Sequence, residues 1–117
     1  MKTPHIQEFD GGKKHVVYIC APLKGDIAGN IEKARGYCRG VFESGYIPYA
    51  AHLAFESVLD EHTPTERETA LEAGAEMVKR CDVLWVFGNT VTEGMKREIE
   101  VASKAGIPVK FQSKKVG

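Results

Sequence analysis

Two continuous apolar runs constrain the fold of this chain more than any other feature of its sequence. Residues 16–21 read VVYICA and residues 81–88 read CDVLWVFG, and both runs are rich in β-branched and aromatic side chains. Such runs lack the polar alternation of a half-exposed strand and are typical of strands that are buried on both faces of a parallel sheet. Both runs are therefore predicted to be inner strands of a sheet that helices cover.

The segments between these runs carry the signals of helices. Apolar residues recur at helical spacing over residues 27–42, and Gly45 is expected to end that helix. The sequence Thr63-Pro64-Thr65-Glu66 combines an N-cap hydroxyl, a proline at the first helical position and a capping-box glutamate, which predicts a helix to about Arg80. A third helix is predicted from about Gly94 to a stop at Gly106. Shorter strands are expected over residues 46–50 and 107–111.

This alternation of strands and helices predicts the fold class. It implies a mainly parallel sheet of four to five strands with right-handed crossovers, in an α/β, Rossmann-like or flavodoxin-like three-layer sandwich. With 117 residues, 43% of them apolar, the chain can build one core but not two. We expect a flexible arm over residues 1–14 and one domain over residues 15–117. Residues 51–62 show no clear periodicity and are expected to form a loop that covers a site.

Charge and motif content argue against several classes of function. Sixteen Lys and Arg residues balance sixteen Asp and Glu residues, so no nucleic-acid partner is expected. The absence of a bilayer-length apolar stretch or a signal-peptide core predicts a cytoplasmic protein without membrane contact. The three cysteines are expected to be reduced core residues, and Trp85 a core residue. No dinucleotide, phosphate-loop or metal motif occurs, so neither a cofactor nor a metal is expected.

Ligands of such sheets bind beyond the carboxyl ends of the strands, where the strand order reverses. The loops over residues 21–26 and 89–94 are expected to meet there. Glu98 falls in the opening turns of the following helix, where the helix dipole favours an ionised carboxylate that can act as nucleophile or general base. Thr92 and the amides near Gly94 can hold an anion. The alternative is a capping or solvated role for Glu98.

At these residues the sequence resembles the nucleoside 2-deoxyribosyltransferase-like superfamily, which includes nucleotide N-glycoside hydrolases. VYICAPLKG is similar to the first strand and loop of that superfamily, and TEGMKREIEVA is similar to its signature around the nucleophile. The resemblance implies that Glu98 is the nucleophile, that Thr92 contacts an anion and that Tyr18 lies near the sugar. The string YIPYAAHLAFESVLDE resembles still more closely small phage and bacterial proteins of unassigned function. The implied substrate-binding residues are Tyr18, Ala21, Pro22, Gly25, Thr92 and Gly94.

The sequence departs from the superfamily pattern at two positions. Gly74 stands where the enzymes carry an aspartate beside the sugar, and Glu100 replaces a small residue after the nucleophile. Arg67 shares a helix face with Gly74, where it could bind a phosphate or form a surface ion pair. His52 follows the second strand and could contact the base or a sugar hydroxyl, or be a structural histidine.

Three functions follow as expectations. The first is cleavage or exchange of the N-glycosidic bond of a nucleoside or nucleoside 5′-monophosphate, with Glu98 as the nucleophile of a hydrolase or transferase. The second is a non-catalytic module that senses or sequesters a nucleotide-like ligand, which the glycine at position 74 favours. The third is a structural domain without a small-molecule pocket. The resemblance also implies a homodimer or higher homo-oligomer with pockets near the subunit boundary.

Overall fold

The computed structural model describes residues 15–55, 58–59 and 63–112. The arm expected over residues 1–14 lies outside the described residues. Four strands, β1 (Val16–Cys20), β2 (Ile47–Tyr49), β3 (Val83–Val86) and β4 (Val109–Phe111), form one sheet in the order β2-β1-β3-β4. All three neighbouring pairs are parallel, with Tyr18 of β1 opposite Tyr49 and Leu84. The predicted parallel α/β sheet is therefore confirmed, with four strands.

Helices cover both faces of the sheet and complete the predicted three layers. Helix α1 (Ile27–Glu43) joins β1 to β2, and its Val41 packs with Val17 and Ile19 on one face. Helices α3 (Pro64–Arg80) and α4 (Glu93–Ala105) pack together on the other face, where Tyr18 and Cys20 are buried. Successive β1 side chains point to opposite faces, as the alternation in a strand requires. This arrangement explains why the whole β1 run is apolar.

Most helix ends lie where the capping residues of the sequence predict them. One predicted cap, Thr63, does not form its hydrogen bond. Gly106 takes a left-handed conformation with φ 78° and ends α4 as predicted, because glycine adopts this geometry without a Cβ penalty. Helix α3 starts at Pro64 as predicted, but the Thr63 side chain makes no cap hydrogen bond to the helix. Helix α1 ends at Glu43, with Ser44 as its C-cap and Gly45 at φ 96°.

The segment after β2 differs from the expectation of a loop. Residues 51–55 form a short helix, α2 (Ala51–Phe55), and β2 is shorter than the predicted strand over residues 46–50. Residues 56, 57 and 60–62 of the expected covering loop lie outside the described residues. Among the helices that are described, none combines the length and the apolar character that crossing a membrane requires.

The strand order reverses between β1 and β3, because β1 connects to β2 on one side and the chain then crosses to β3 on the other. The loops that follow β1 and β3 are adjacent at this edge. Gly88 has φ 99°, and a Cβ atom there would lie 3.1 Å from Cδ of Pro22. Glycine is therefore needed both for the turn and for the close approach. The structure brings the two expected loops to one end of the sheet.

Candidate functional site

A cavity of about 540 Å³ lies at the carboxyl ends of β1 and β3, on the face that α3 and α4 cover. Its wall comes from the loop after β1 and from α2, α3 and α4, and it is mostly apolar. Crevices of this kind at the switch point of a parallel sheet are common ligand sites. The residues singled out in the sequence that line this cavity are Ala21, His52, Arg67, Gly74, Thr92, Gly94 and Glu98.

The Glu98 carboxylate is held by a tyrosine of the central strand. Tyr18 is completely buried, and its hydroxyl donates a hydrogen bond of 2.7 Å to Oε2 of Glu98. Glu98 lies in the second turn of α4, which begins at Glu93. The α4 backbone and the β1 side chain together fix the direction of the carboxylate, which faces the cavity.

Burial has the largest effect on the pKa of Glu98. Removal from solvent raises the pKa of Glu98, while hydrogen bonds from Tyr18 and Cys20 and the charge of nearby His52 partly oppose that rise. This rise opposes the ionised state that the helix dipole was expected to favour, and Glu98 lies beyond the first turn, where the dipole is strongest. Burial also raises the pKa of the Tyr18 hydroxyl, so Tyr18 remains a proton donor.

His52 has a structural hydrogen bond and also lines the cavity. Its Nε2 atom lies 2.7 Å from the carbonyl oxygen of Ala21. Because a carbonyl oxygen only accepts, Nε2 of His52 must carry a proton and donate it to this bond. The bond ties α2 to the loop after β1 and orients the imidazole on the cavity wall. The two alternative roles predicted for His52 therefore do not exclude each other.

Gly74 is buried in α3, directly beside the Tyr18–Glu98 pair. A Cβ atom built at this position would lie 3.3 Å from the Tyr18 hydroxyl oxygen and 3.8 Å from Oε2 of Glu98. The place where the resemblance expects an aspartate is thus next to the carboxylate assigned as nucleophile. In this chain it carries no side chain.

The cavity mouth is rich in positive charge. Lys24, Arg67 and Arg97 line it, and Arg97 makes a long ion pair of 3.9 Å with Glu68. Arg67 is exposed and has no ion pair with any described residue. No group of three or more metal-ligating side chains occurs in the described part of the chain. An anionic group of a ligand would find complementary charge at this mouth.

Thr92 is the N-cap of α4 as well as a cavity residue. Its hydroxyl oxygen accepts a hydrogen bond of 3.3 Å from the Met95 amide, and Sδ of Met95 lies 3.4 Å from the Thr92 amide. This reciprocal pair is a capping box in which a thioether replaces the usual carboxylate. The first amides of the helix, at Glu93 and Gly94, have no partner within the helix, so they can bind an acceptor.

Three sequence expectations lie away from the cavity or differ in detail. Pro22 packs against Gly88 and borders a second groove, and Gly25 is an exposed turn residue with φ 96° that lines neither space. Tyr18, which the resemblance places near the sugar, is completely buried and does not line the cavity, whereas Glu93 borders its mouth with a side chain that is 92% exposed. Glu100 is 67% exposed and forms an ion pair with Lys104.

The apolar part of the cavity wall was not predicted from the sequence. Leu71 and Ala70 of α3 line the cavity together with Phe55 of α2 and Met95 of α4. Positions 67, 70, 71 and 74 share one face of a helix. Because Arg67 and Gly74 were already assigned to the site, Ala70 and Leu71 could have been predicted to line it as well. Phe55 had no comparable signal, because the helix that carries it was not predicted.

The second groove, of about 920 Å³, lies on the opposite face of the sheet beside α1. Tyr37 and Phe87 stack there with ring centroids 4.4 Å apart. Trp85, expected as a core residue, packs against the core cluster around Val17 and Ile19 but is only half-buried, and it also lines this groove. Lys110 lies over its ring at 5.7 Å.

Comparisons with known proteins add a fold and a family. No curated protein sequence matches the chain. Its structure is similar to that of a 2-deoxyribosyltransferase from the psychrotolerant bacterium Bacillus psychrosaccharolyticus, a biocatalyst for the synthesis of antiviral and antitumoral nucleosides. The TM-score is 0.67 at 13% identity, over 82% of this chain and 70% of that chain, which shows a shared fold. The model of a family described as "Domain of unknown function (DUF7768)" matches residues 15–112, so the chain belongs to the DUF7768 family.

Proposed function

We propose that this protein cleaves or exchanges the N-glycosidic bond of a nucleoside or nucleoside 5′-monophosphate, with Glu98 as the nucleophile. The observation that carries the proposal is the Glu98 carboxylate, which faces the switch-point cavity while Tyr18 holds one of its oxygens at 2.7 Å. A carboxylate that is fixed in direction and partly removed from water is suited to attack an anomeric carbon.

In the proposed reaction, a carboxylate oxygen of Glu98 forms a bond to the anomeric carbon while the bond from that carbon to the base nitrogen breaks. The electron pair of the broken bond leaves with the base, which takes a proton from solvent. The glycosyl ester on Glu98 is then resolved. Attack by water gives the free sugar, whereas attack by a second base gives a new nucleoside, and either step restores the carboxylate.

The proposed ligand orientation follows from the charges around the cavity. The sugar lies against Glu98 and the stretch of α3 around Gly74, both of which line the cavity, and the buried Tyr18 holds the carboxylate. A 5′-phosphate, where present, lies at the mouth, where Thr92, the first amides of α4 and Arg67 supply donors. The base then lies towards Ala21 and His52, which also line the cavity.

The test is base release from a panel of nucleosides and nucleoside monophosphates, followed by chromatography. Wild-type protein is expected to release base, and Glu98→Gln to lose at least about 100-fold of that rate while it keeps ligand affinity, because the amide keeps the shape but lacks the nucleophilic charge. Glu100→Gln is the matched control, since Glu100 lies on the same helix and pairs outward with Lys104. Turnover that persists in Glu98→Gln would place the nucleophile elsewhere.

One observation favours a second candidate function, a binding module that senses or sequesters a nucleotide-like ligand. Gly74 leaves the position beside Glu98 without a carboxylate, and burial raises the pKa of Glu98 and so disfavours its charged form. Both features preserve a pocket but weaken a nucleophile. Wild-type protein that binds nucleotides and releases no base at any pH would support this candidate over the enzyme.

We also propose that the protein forms a homodimer, as the resemblance implies. Within the described residues both outer strands of the sheet have an unpaired edge, and Ile47 of β2 and Phe111 of β4 are 43% and 63% exposed. Burial of such an edge in a second copy would stabilise both chains. Light scattering coupled to size-exclusion chromatography measures the mass in solution, and a monomer at all concentrations would contradict the proposal.

A further inference from the structure

Gly74 is an unfavourable residue for its place in the fold. It lies in the interior of α3, a helix of 17 residues, and it is buried. Glycine in a helix interior is less stable than alanine because its backbone loses more freedom on folding. The reason for glycine at position 74 must therefore lie in the residues that pack against this part of α3.

Those neighbours are the two groups of the candidate site. A Cβ atom at position 74 would lie 3.3 Å from the Tyr18 hydroxyl oxygen, closer than most contacts of real Cβ atoms, and 3.8 Å from Oε2 of Glu98. Tyr18 is completely buried on the central strand, and its ring lies 5.8 Å from that of Tyr49. The tyrosine has little room to move back, so an alanine would press on its hydroxyl.

Two other helical glycines provide the contrast. A Cβ atom at Gly36 or Gly40 of α1 would have no atom within 4 Å outside its own helix backbone. Glycine at those positions is not required by any contact of the described residues, whereas at Gly74 the contact is with the site itself.

We propose that Gly74 is a positioning residue, whose missing side chain lets the Tyr18 hydroxyl reach the Glu98 carboxylate and so fixes that carboxylate in the cavity. The functional meaning of this positioning rests on the proposed function, but the positioning itself does not. Where the resemblance expects a second carboxylate beside the nucleophile, this chain instead leaves the space that its tyrosine needs.

A double-mutant cycle on thermal stability tests the contact. Gly74→Ala is expected to lower Tm in the wild-type background, because the clash outweighs the better helix propensity of alanine. In the Tyr18→Phe background the hydroxyl is gone and the nearest atom is Oε2 of Glu98 at 3.8 Å, so the same change is expected to raise Tm. Gly36→Ala, the matched control, is expected to raise Tm in both backgrounds. Should Gly74→Ala fail to fold alone, folding of the double variant supports the proposal, and unfolding of both overturns it.

A titration of Glu98 distinguishes positioning from packing alone. The charged and titratable groups around this carboxylate are Tyr18 and Cys20 of β1 and His52 of α2. The same cavity is also lined by Lys24, Arg67, Glu93 and Arg97. The carboxyl carbon can be followed by NMR in ¹³C-glutamate-labelled protein and assigned with Glu98→Gln. Loss of the Tyr18 hydrogen bond is expected to move the titration to higher pH in Tyr18→Phe, because that bond lowers the pKa of Glu98.

Gly74→Ala is expected to move the titration in the same direction, with no further movement in the double variant and none in Gly36→Ala. A Gly74→Ala protein that titrates at the wild-type pH would overturn the proposal, whatever its Tm. These measurements use the protein without substrate, so they keep their meaning if no base release is found. Absence of base release from the wild-type protein would contradict the proposed enzyme function alone.

Discussion

At the scale of single residues, the sequence pointed to Glu98 but not to the groups that control it. The motif of Thr92, Gly94 and Glu98 lies within seven consecutive residues, so it can be recognised in the sequence alone. Tyr18 lies 80 positions away from Glu98, and the hydrogen bond between them depends on the packing of α4 against β1. The pKa of Glu98 likewise follows from burial, which a local pattern does not specify. The helix dipole was visible in the local pattern, whereas the burial that opposes it was not.

Replacement of Glu98 by glutamine is expected to stabilise the protein without ligand near neutral pH. A raised pKa in the folded state means that the stability linked to Glu98 is present below its ordinary value of 4.5 and is lost as the pH rises through the folded value. Glutamine does not titrate and avoids the cost of a buried charge. The free energy of unfolding, measured by urea titration, should therefore favour Glu98→Gln at pH 7 and approach the wild-type value below pH 4.5.

The control for this prediction is Glu100→Gln, because the Glu100 side chain is 67% exposed and forms a surface pair with Lys104. Its difference from the wild-type protein should stay small at every pH, since exposed pairs contribute little. A Glu98→Gln protein that is less stable than wild type at pH 7, but equal to it in acid, would show that the folded protein favours the charged carboxylate.

At the scale of elements, long helices and inner strands were predictable and short elements were not. Helices α3 and α4 span several turns, so capping residues, proline and Gly106 placed most of their ends within one or two residues. Helix α2 has only five residues, too few for a period to appear, and β2 has three. The part of the cavity wall that α2 forms, including Phe55, could therefore not be predicted from hydrophobic periodicity.

Loss of the Thr92 cap is expected to destabilise α4. Thr92→Ala removes the acceptor of the Met95 amide, which then lacks a partner in the first turn, and the expected cost is about 1 kcal/mol of unfolding free energy. Thr69→Ala is the control, because the Thr69 hydroxyl donates to the Thr65 carbonyl inside α3 and caps nothing. That change should be neutral or slightly stabilising, because alanine is the better helix former. Equal urea midpoints for Thr92→Ala and wild type would mean that the cap contributes nothing measurable.

At the scale of the whole molecule, the alternation of strands and helices was sufficient to predict the parallel sheet and the end at which a site should form. Right-handed crossovers place α1 on one face and α3 and α4 on the other, and the switch point between β1 and β3 follows from that order. The contents of the cavity depend on how each helix is rotated about its axis. Rotation depends on packing, so the place of Arg97 on the cavity and the closeness of Gly74 to Tyr18 became visible only in the folded chain.

Ligand binding is expected to stabilise the whole fold, and nucleoside monophosphates more than nucleosides. A ligand at 100 times its Kd adds about 2.7 kcal/mol to the unfolding free energy, which for a domain of this size is a rise in Tm of about 10 °C. The additional phosphate would meet Thr92, the first amides of α4 and Arg67 at the cavity mouth, so at equal concentration the monophosphate should give the larger shift. Differential scanning fluorimetry over a concentration series measures both.

Arg67→Ala should remove most of the difference between monophosphate and nucleoside while the shift with nucleoside remains. Arg80→Ala is the matched control, because Arg80 is an exposed arginine at the far end of the same helix, paired with Glu76, and does not line the cavity. Equal shifts for the two ligand classes in the wild-type protein would remove the anion site from the proposal and leave Thr92 as a helix cap. No shift with either class, at millimolar concentration, would argue that the cavity does not bind nucleotides and would favour a structural role for the domain.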